Sequence, residues 1–209
     1  MGSLAQPPQL SARAALLADG RTGTILFEQA AHERLAPAST TKIMTALIAL
    51  ERGDLAEVVT VPQAALTVGE ASMGLGASEE VTLEELSYGL LLVSANDAAL
   101  AVAIHIGGSL EDFLALMNER AAEWAPPDTH FVNPHGLDDP QHFTSAADLL
   151  TLAREALSNP DFVRIVATPQ ATVAGRPLVN TNQLLGTYEG ADGVKTGTTD
   201  AARECLVAS

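Results

Sequence analysis

The chain has 209 residues, 47% of them apolar, with a mean hydropathy of +0.17 and a formal net charge of −15. That length and apolar content suit one large domain or two small ones with a sizeable core, and the acidity excludes nucleic acid and a polybasic membrane contact as partners. Cys205 is the only cysteine, so an intrachain disulfide and paired-thiol zinc spacings are excluded. The longest apolar stretch, Leu90 to Ile106, is interrupted by Ser94, Asn96, Asp97 and His105, so no transmembrane segment is expected.

No basic, apolar, cleavable leader opens the chain, and Met1-Gly2-Ser3 resembles a vector-derived scar, so residues 1–11 read as a tail before one folded unit over 12–209. Apolar runs at Ala12 to Leu17 and Thr24 to Glu28 bracket Asp19-Gly20-Arg21-Thr22-Gly23 and predict two antiparallel strands joined by a hairpin loop. Thr40 to Leu50 predicts a helix apolar nearly all round, hence buried on every side. Short segments follow at Val58 to Val68, then a glycine-rich turn at Gly74-Leu75-Gly76. Thr82 and Glu85 have the spacing of a capping box and start a helix through about Val93. Asp97 to Ile106 is a further helix. Ser109 caps another through about Trp124 that Pro126-Pro127 ends, and Ser145 caps Ala146 to Leu157, stopped at Asn159-Pro160. Strands are expected at Gly193 to Thr198 and Glu204 to Ala208.

The chain holds only two lysines, and both lie in short polar motifs. Lys42 closes Ser39-Thr40-Thr41-Lys42 at the start of the buried helix. Ser39 alone reads as an ordinary N-cap. Lys42 changes that reading, because burial pushes an ammonium toward the neutral amine that a general base for a serine hydroxyl must be. Positions i and i+3 share a helix face, so the amine can reach the hydroxyl. Ser94-Ala95-Asn96 falls in a break between two helices, where polar side chains serve either as caps or as groups facing a cleft. In Lys195-Thr196-Gly197, lysine and threonine suit a carboxylate, and the glycine clears room for a ligand backbone beside a strand. With eleven serines and two lysines, a chance Ser-x-x-Lys is expected about 0.1 times. The three motifs in this order are far harder to reach by accident.

Longer segments join them. Pro37-Ala38-Ser39-Thr40-Thr41-Lys42-Ile43-Met44-Thr45, Ser94-Ala95-Asn96-Asp97-Ala98-Ala99, Phe131-Val132-Asn133-Pro134-His135-Gly136-Leu137, Asn180-Thr181-Asn182 and Gly190-Ala191-Asp192-Gly193-Val194-Lys195-Thr196-Gly197 together resemble the D-alanyl-D-alanine carboxypeptidases among the low-molecular-mass penicillin-binding proteins. The resemblance runs from about Ala14 to Ser209. It implies an α+β fold of the serine β-lactamase/DD-peptidase type, with an antiparallel sheet flanked by helices and packed on a mostly helical subdomain. It also implies that residues 12–209 form the catalytic domain of an enzyme that removes the terminal D-Ala of peptidoglycan stem peptides outside the cytoplasmic membrane. Ser39 would be the nucleophile and Lys42 its base, with Ser94 passing a proton to the leaving group. Asn96 would hold the acyl-side amide, Lys195 and Thr196 the terminal carboxylate, with Gly197 opening the strand to the ligand. The backbone amides of Ser39 and Thr198 would form the oxyanion hole. β-Lactams would acylate Ser39, and no cofactor or metal is implied.

Two departures from the resembled pattern stand out. Arg203 and Glu204 occupy positions where those enzymes usually have glycine and an aromatic residue. Those enzymes also continue past the position of Ser209 into a sheet strand and a closing helix, so the resemblance leaves the sheet C-terminally incomplete. Among other readings, a class A β-lactamase would need a glutamate that activates the deacylating water. Glu155 to Asn159 has a tempting spacing but is explained as a helix end. A β-lactam sensor domain would share the motifs, but Asn133-Pro134-His135-Gly136-Leu137 favours the carboxypeptidases. His130, His135 and His142, near Asp138 and Asp139, match no zinc spacing.

Overall fold

A computed structural model of the protein describes residues 9–124 and 128–209. Most of the expected tail and the Pro126-Pro127 helix stop lie outside these residues. The architecture is α+β, with antiparallel strands in four two-stranded ladders and helices between them.

The hydrophobic core forms around α1 (Lys42–Arg52), which is in contact with α2 (Leu83–Leu92), α3 (Asn96–Gly107), α4 (Leu110–Ala122), α5 (Ala146–Ala156) and α6 (Pro160–Val166). Ile43, Met44, Ala46, Leu47, Ile48 and Ala49 are all buried, as the all-round apolar pattern requires. Each large side chain removed from water in this way contributes about 1.5–3 kcal/mol. α3 is buried as thoroughly over its first eight residues, so α1 and α3 form the rigid centre on which the polar motifs are mounted.

The helix starts follow local chemistry. Thr82 and Glu85 complete the capping box, with the Glu85 amide donating to Thr82 Oγ1 at 3.2 Å and the Thr82 amide donating to Glu85 Oε2 at 2.8 Å. Ser109 accepts from the Asp112 amide to start α4, and Ser145 accepts from the Asp148 amide to start α5. Asn159-Pro160 ends α5 as expected but also begins α6. The Asn159 side chain accepts from the amides of Asp161 and Phe162, and the proline sits in the first helical turn, where it gives up no hydrogen bond.

The N-terminal hairpin joins β1 (Ala15–Ala18) to β2 (Ile25–Gln29). β3 (Val58–Thr60) pairs with β4 (Glu80–Thr82). A third hairpin, β5 (Gln170–Val173) with β6 (Arg176–Val179), turns through Ala174 and Gly175, both at positive φ as a two-residue turn of this hand requires. β7 (Val194–Thr199) pairs in register with β8 (Arg203–Ala208). β1 and β8 both pack on α5 but are not paired with each other. Between them runs an open groove of about 2020 Å³, lined by Leu16, Leu17, Leu149, Arg154 and Leu206 among others. The facing edges of β1 and β8 carry strand backbone that is unpaired on the groove side among the described residues, the kind of edge that invites another strand. Among the described residues no single helix is long and apolar enough to cross a membrane.

Arg203 opens β8 at φ +61°, in the left-handed region that costs an ordinary side chain energy and glycine almost none. The residue is exposed and makes no ion pair among the described residues. Arg203→Gly is therefore expected to stabilise the protein by about 0.5–1 kcal/mol, the relief of strain exceeding the added entropy of the unfolded chain. A thermal melt reads this as a rise of a few degrees, and a fall would refute it.

Candidate active site

The first motif wraps the start of α1. Ala38–Thr41 form a turn of 3-10 helix that runs directly into Lys42. Ser39 does not act as a helix cap, since neither this turn nor α1 has a side-chain cap bond. The Ser39 hydroxyl is instead left for Lys42 Nζ, 2.9 Å away. Lys42 is fully buried, and its amine also lies 2.7 Å from Asn96 Oδ1 and 2.6 Å from the His135 carbonyl.

Those three contacts decide where the proton goes. Burial, then the nearby Lys195, drive the Lys42 amine well below its ordinary range, against the opposing pull of Glu70 and Asp97. A neutral amine has two N–H bonds and one lone pair. The Asn96 Oδ1 atom and the His135 carbonyl can only accept, so they take both N–H bonds. Asn96 is oriented unambiguously, because its Nδ2 donates to the Gly69 carbonyl at 3.0 Å. In the neutral form that burial favours, the lone pair would face Ser39 Oγ, 2.9 Å away, and accept its hydroxyl proton.

Asn96 thus uses both polar ends within the protein, and its backbone amide donates to the Ala71 carbonyl at 2.7 Å. Ser94, in the break between α2 and α3, adopts φ +62°. Its hydroxyl oxygen is shielded from solvent and has no hydrogen-bond partner among the described residues, so it is not joined to Ser39 or Lys42. Strain and an unpaired hydroxyl at one residue mark a position retained for something other than stability.

β7 supplies the third motif. Lys195 is buried, and its amine donates to the Thr196 carbonyl at 2.9 Å. Burial lowers its pKa to about 7. Thr196 Oγ1 shares a hydrogen bond with Thr181 Oγ1 at 2.7 Å, and the Asn182 side chain donates to the Gly193 carbonyl at 2.8 Å, which ties the start of β7 to the Asn180–Asn182 segment. Gly197 sits against the nucleophile: a Cβ there would lie 2.8 Å from the Ser39 amide nitrogen and 3.0 Å from the Ala38 Cβ. The glycine therefore clears room for the protein's own Ser39 backbone, a requirement that the expectation of a ligand beside the strand did not include. Thr198, next along, is exposed.

Several functional contacts carry no signal in the sequence motifs. The Val132 amide donates to His142 Nδ1 at 3.1 Å, which leaves the proton on Nε2 to be donated to Thr41 Oγ1 at 2.8 Å. Thr41 in turn donates to the Ala38 carbonyl at 2.9 Å. This chain holds Ala38 at φ +48°, the strained step directly before Ser39. Burial holds the His142 imidazole neutral, with its pKa lowered to about 4. Asp97 accepts from Ser72 Oγ and from the amides of Met73 and Leu75, anchoring the loop above α3. Glu155 and Asn159 are committed elsewhere: Glu155 pairs with Arg120 and accepts from Trp124 Nε1, while Asn159 caps α6.

A family model described as D-alanyl-D-alanine carboxypeptidase matches residues 1–209. The chain belongs to the D-alanyl-D-alanine carboxypeptidase family. Among curated relatives, it is 38% identical over 208 residues to the D-alanyl-D-alanine carboxypeptidase DacF of Bacillus subtilis, covering 95% of this chain and 54% of that protein. It is 36% identical over 217 residues to DacD of Escherichia coli, covering 98% of this chain and 56% of the relative. The chain thus spans about half the length of these relatives. A solved D-alanyl-D-alanine carboxypeptidase from Mycobacterium tuberculosis superposes with a TM-score of 0.90 at 36% identity, over 96% of this chain and 78% of that one. A Streptomyces DD-transpeptidase gives a TM-score of 0.90 at 32% identity, over 98% of this chain and 86% of that one.

In this member of the family, close packing around Ser39 depends on two glycines. A Cβ on Gly136 would lie 1.9 Å from the Ala38 carbonyl oxygen, and its φ of +92° already disfavours a side chain. Gly197→Ala is expected to destabilise by about 1–3 kcal/mol, the usual range for overpacking. Gly136→Ala, whose Cβ would come within 1.9 Å of backbone rather than 2.8 Å and which also sits at positive φ, should cost more. Denaturant melts of the two variants check both the size and the order, and equal or negligible losses would show that the Ser39 segment is free to move aside.

Proposed function

We propose that residues 12–209 are the catalytic domain of a serine DD-carboxypeptidase that removes the terminal D-Ala from peptidoglycan stem peptides through an ester on Ser39. The observation that carries this reading is the buried Lys42 amine 2.9 Å from Ser39 Oγ, with two acceptors, Asn96 Oδ1 and the His135 carbonyl, as its other partners. Lys42 takes the hydroxyl proton as Ser39 Oγ attacks the carbonyl of the penultimate D-Ala. The amides of Ser39 and Thr198 hold the oxyanion that forms. As the C–N bond breaks, the proton passes from Lys42 to the nitrogen of the departing D-Ala; Ser94, whose hydroxyl is unpaired in the free protein, relays it once substrate turns that hydroxyl toward Lys42. Water, deprotonated by the same amine, then releases the shortened peptide.

Asn96 is assigned to orienting Lys42 through Oδ1 and to holding the acyl-side amide through the second N–H of Nδ2, the first being given to the Gly69 carbonyl. Lys195 and Thr196 are assigned to the terminal carboxylate. Lys195 shares the face of β7 that carries Gly197 against Ser39, so its charge lies beside the nucleophile. β-Lactams present an amide and a carboxylate in a comparable arrangement, and opening of their ring would leave the acyl group on Ser39. The commitment of Glu155 and Asn159 to other partners weighs against a class A β-lactamase. The reading is of an enzyme that acts on assembled peptidoglycan, outside the cytoplasmic membrane.

Intact-mass measurement after incubation with a fluorescent penicillin, followed by peptide mapping, tests the nucleophile. The label is expected on Ser39 and lost in Ser39→Ala. Lys42→Arg should slow acylation by about 10²–10⁴-fold, because a guanidinium keeps its proton. Label on Ser94 or Ser72 would overturn the assignment.

The two lysines also predict a pH profile. Lys195 carries the carboxylate-binding charge only below its pKa of about 7. Acylation measured as kcat/KM should therefore fall as pH rises through the neutral range. Lys195→Arg, whose charge persists, should extend the plateau to higher pH even with a lower maximum. Superimposable profiles for wild type and Lys195→Arg would remove Lys195 from this role.

A further inference from the structure

The segment Phe131 to His142 touches the nucleophile at more than one point, and it also reaches the far wall of the cleft. Within it, Asn133 makes a rigid frame: Oδ1 accepts from the amides of His135 and Gly136 at 3.2 and 2.6 Å, and Nδ2 donates to the Leu137 carbonyl at 2.9 Å. Gly136 then lies directly against the Ala38 carbonyl and the Ser39 amide. Two residues on, Asp138 crosses to β7. Its Oδ1 accepts from Thr199 Oγ1 at 2.6 Å, and its Oδ2 accepts from the Ala201 amide at 2.9 Å. Thr199 Oγ1 also accepts from the Ala202 amide at 3.2 Å, so the carboxylate grips the whole turn that follows Thr198.

We propose that Asp138 is a positioning residue that sets the separation and alignment of the Ser39 and Thr198 amides. This rests on the reading of those two amides as the oxyanion hole. One amide belongs to the start of α1 and the other to β7, and the elements carrying them are distant in sequence. Gly197 keeps the two backbones apart by contact alone, which sets a minimum distance and no maximum. The carboxylate supplies the missing restraint. It ties the end of β7 to a loop whose own position is fixed against Ala38, so the two donors move as one body. Asp138 is exposed and touches no reacting atom, so its effect passes entirely through Thr199 and Ala201. The hairpin ladder fixes the β7–β8 turn to β8, and both strands pack against the Ala38–Thr41 turn; Asp138 adds directional hydrogen bonds to that packing.

The test compares Asp138→Ala, Asp138→Asn and Thr199→Val in the full chain. Each is measured for penicillin acylation, split into non-covalent affinity and acylation rate constant, and for D-Ala release from an acylated peptide ending in D-Ala-D-Ala. Asp138→Ala should lower the acylation rate constant by roughly 10–100-fold, the scale of a donor displaced by a fraction of an ångström. The melting temperature and non-covalent affinity should stay close to wild type. Asp138→Asn keeps an oxygen for the Ala201 amide and offers an N–H to Thr199 Oγ1, so it should recover most of the rate, and Thr199→Val should lie between. An unchanged rate constant in Asp138→Ala would overturn the proposal. So would a loss confined to affinity, or a loss that Asp138→Asn does not relieve while folding is intact. Labelling that survives Ser39→Ala would overturn the nucleophile assignment itself, whereas a dead Ser39→Ala beside a normal Asp138→Ala overturns only the restraint.

Discussion

A lysine amine with no exposure to solvent is expensive, and the centre of this protein is arranged around that cost. Lys42 has to be placed where it can shed its proton and still satisfy its remaining N–H bonds. Two acceptors meet it from different parts of the chain, Asn96 at the start of α3 and the His135 carbonyl in the loop before α5. Each acceptor is itself held. Asn96 is fixed by the carbonyls of Gly69 and Ala71, and the His135 loop is fixed by Asn133 and by the close seat of Gly136 on Ala38. The buried amine thereby dictates how α1, α3 and two loops must meet. Removing either acceptor would leave an uncompensated donor in the core, a more costly defect than the loss of one surface contact.

The same constraint accounts for two of the strained backbone positions. Ala38 and Ser94 are non-glycine residues at positive φ, and both adjoin the groups that the chemistry uses. Each such residue costs on the order of 1–3 kcal/mol and persists only where its surroundings determine it. At Ala38 those surroundings are the Thr41 hydroxyl and, behind it, the His142 ring. At Ser94 they are the two helices on either side, each buried along most of its length. A core built of α1, α2 and α3 is what makes such local conformations affordable.

What could be read from the sequence was mostly what depends on near neighbours. The Thr82–Glu85 capping box, the Ser109 and Ser145 caps, and the pairing of Ser39 with Lys42 across i and i+3 all involve residues within one turn of helix. The identity of Asn96 and Lys195 as site residues came from motif resemblance. The structure gives Asn96 internal partners, the Lys42 amine and the Gly69 carbonyl, that the motif did not indicate. Contacts between distant segments left no local trace. His142 meets Thr41 across 101 residues of chain, and no spacing rule links the two. The β5–β6 hairpin turns on Ala174-Gly175, which lacks the asparagine or aspartate that marks such turns. α6 was hidden because proline after asparagine signals both the end of one helix and the start of the next.

The two lysines show how equal burial can yield unequal states. Both amines are withdrawn from water, and each alone would lose part of its affinity for a proton. Lys42 is pushed further, because it also feels the charge of Lys195, whereas Lys195 is lowered by burial alone. The stronger push toward the neutral form therefore falls on Lys42, the amine beside Ser39. The neighbours of the two amines differ accordingly, Asn96 and the His135 carbonyl at Lys42 and the backbone of Thr196 at Lys195.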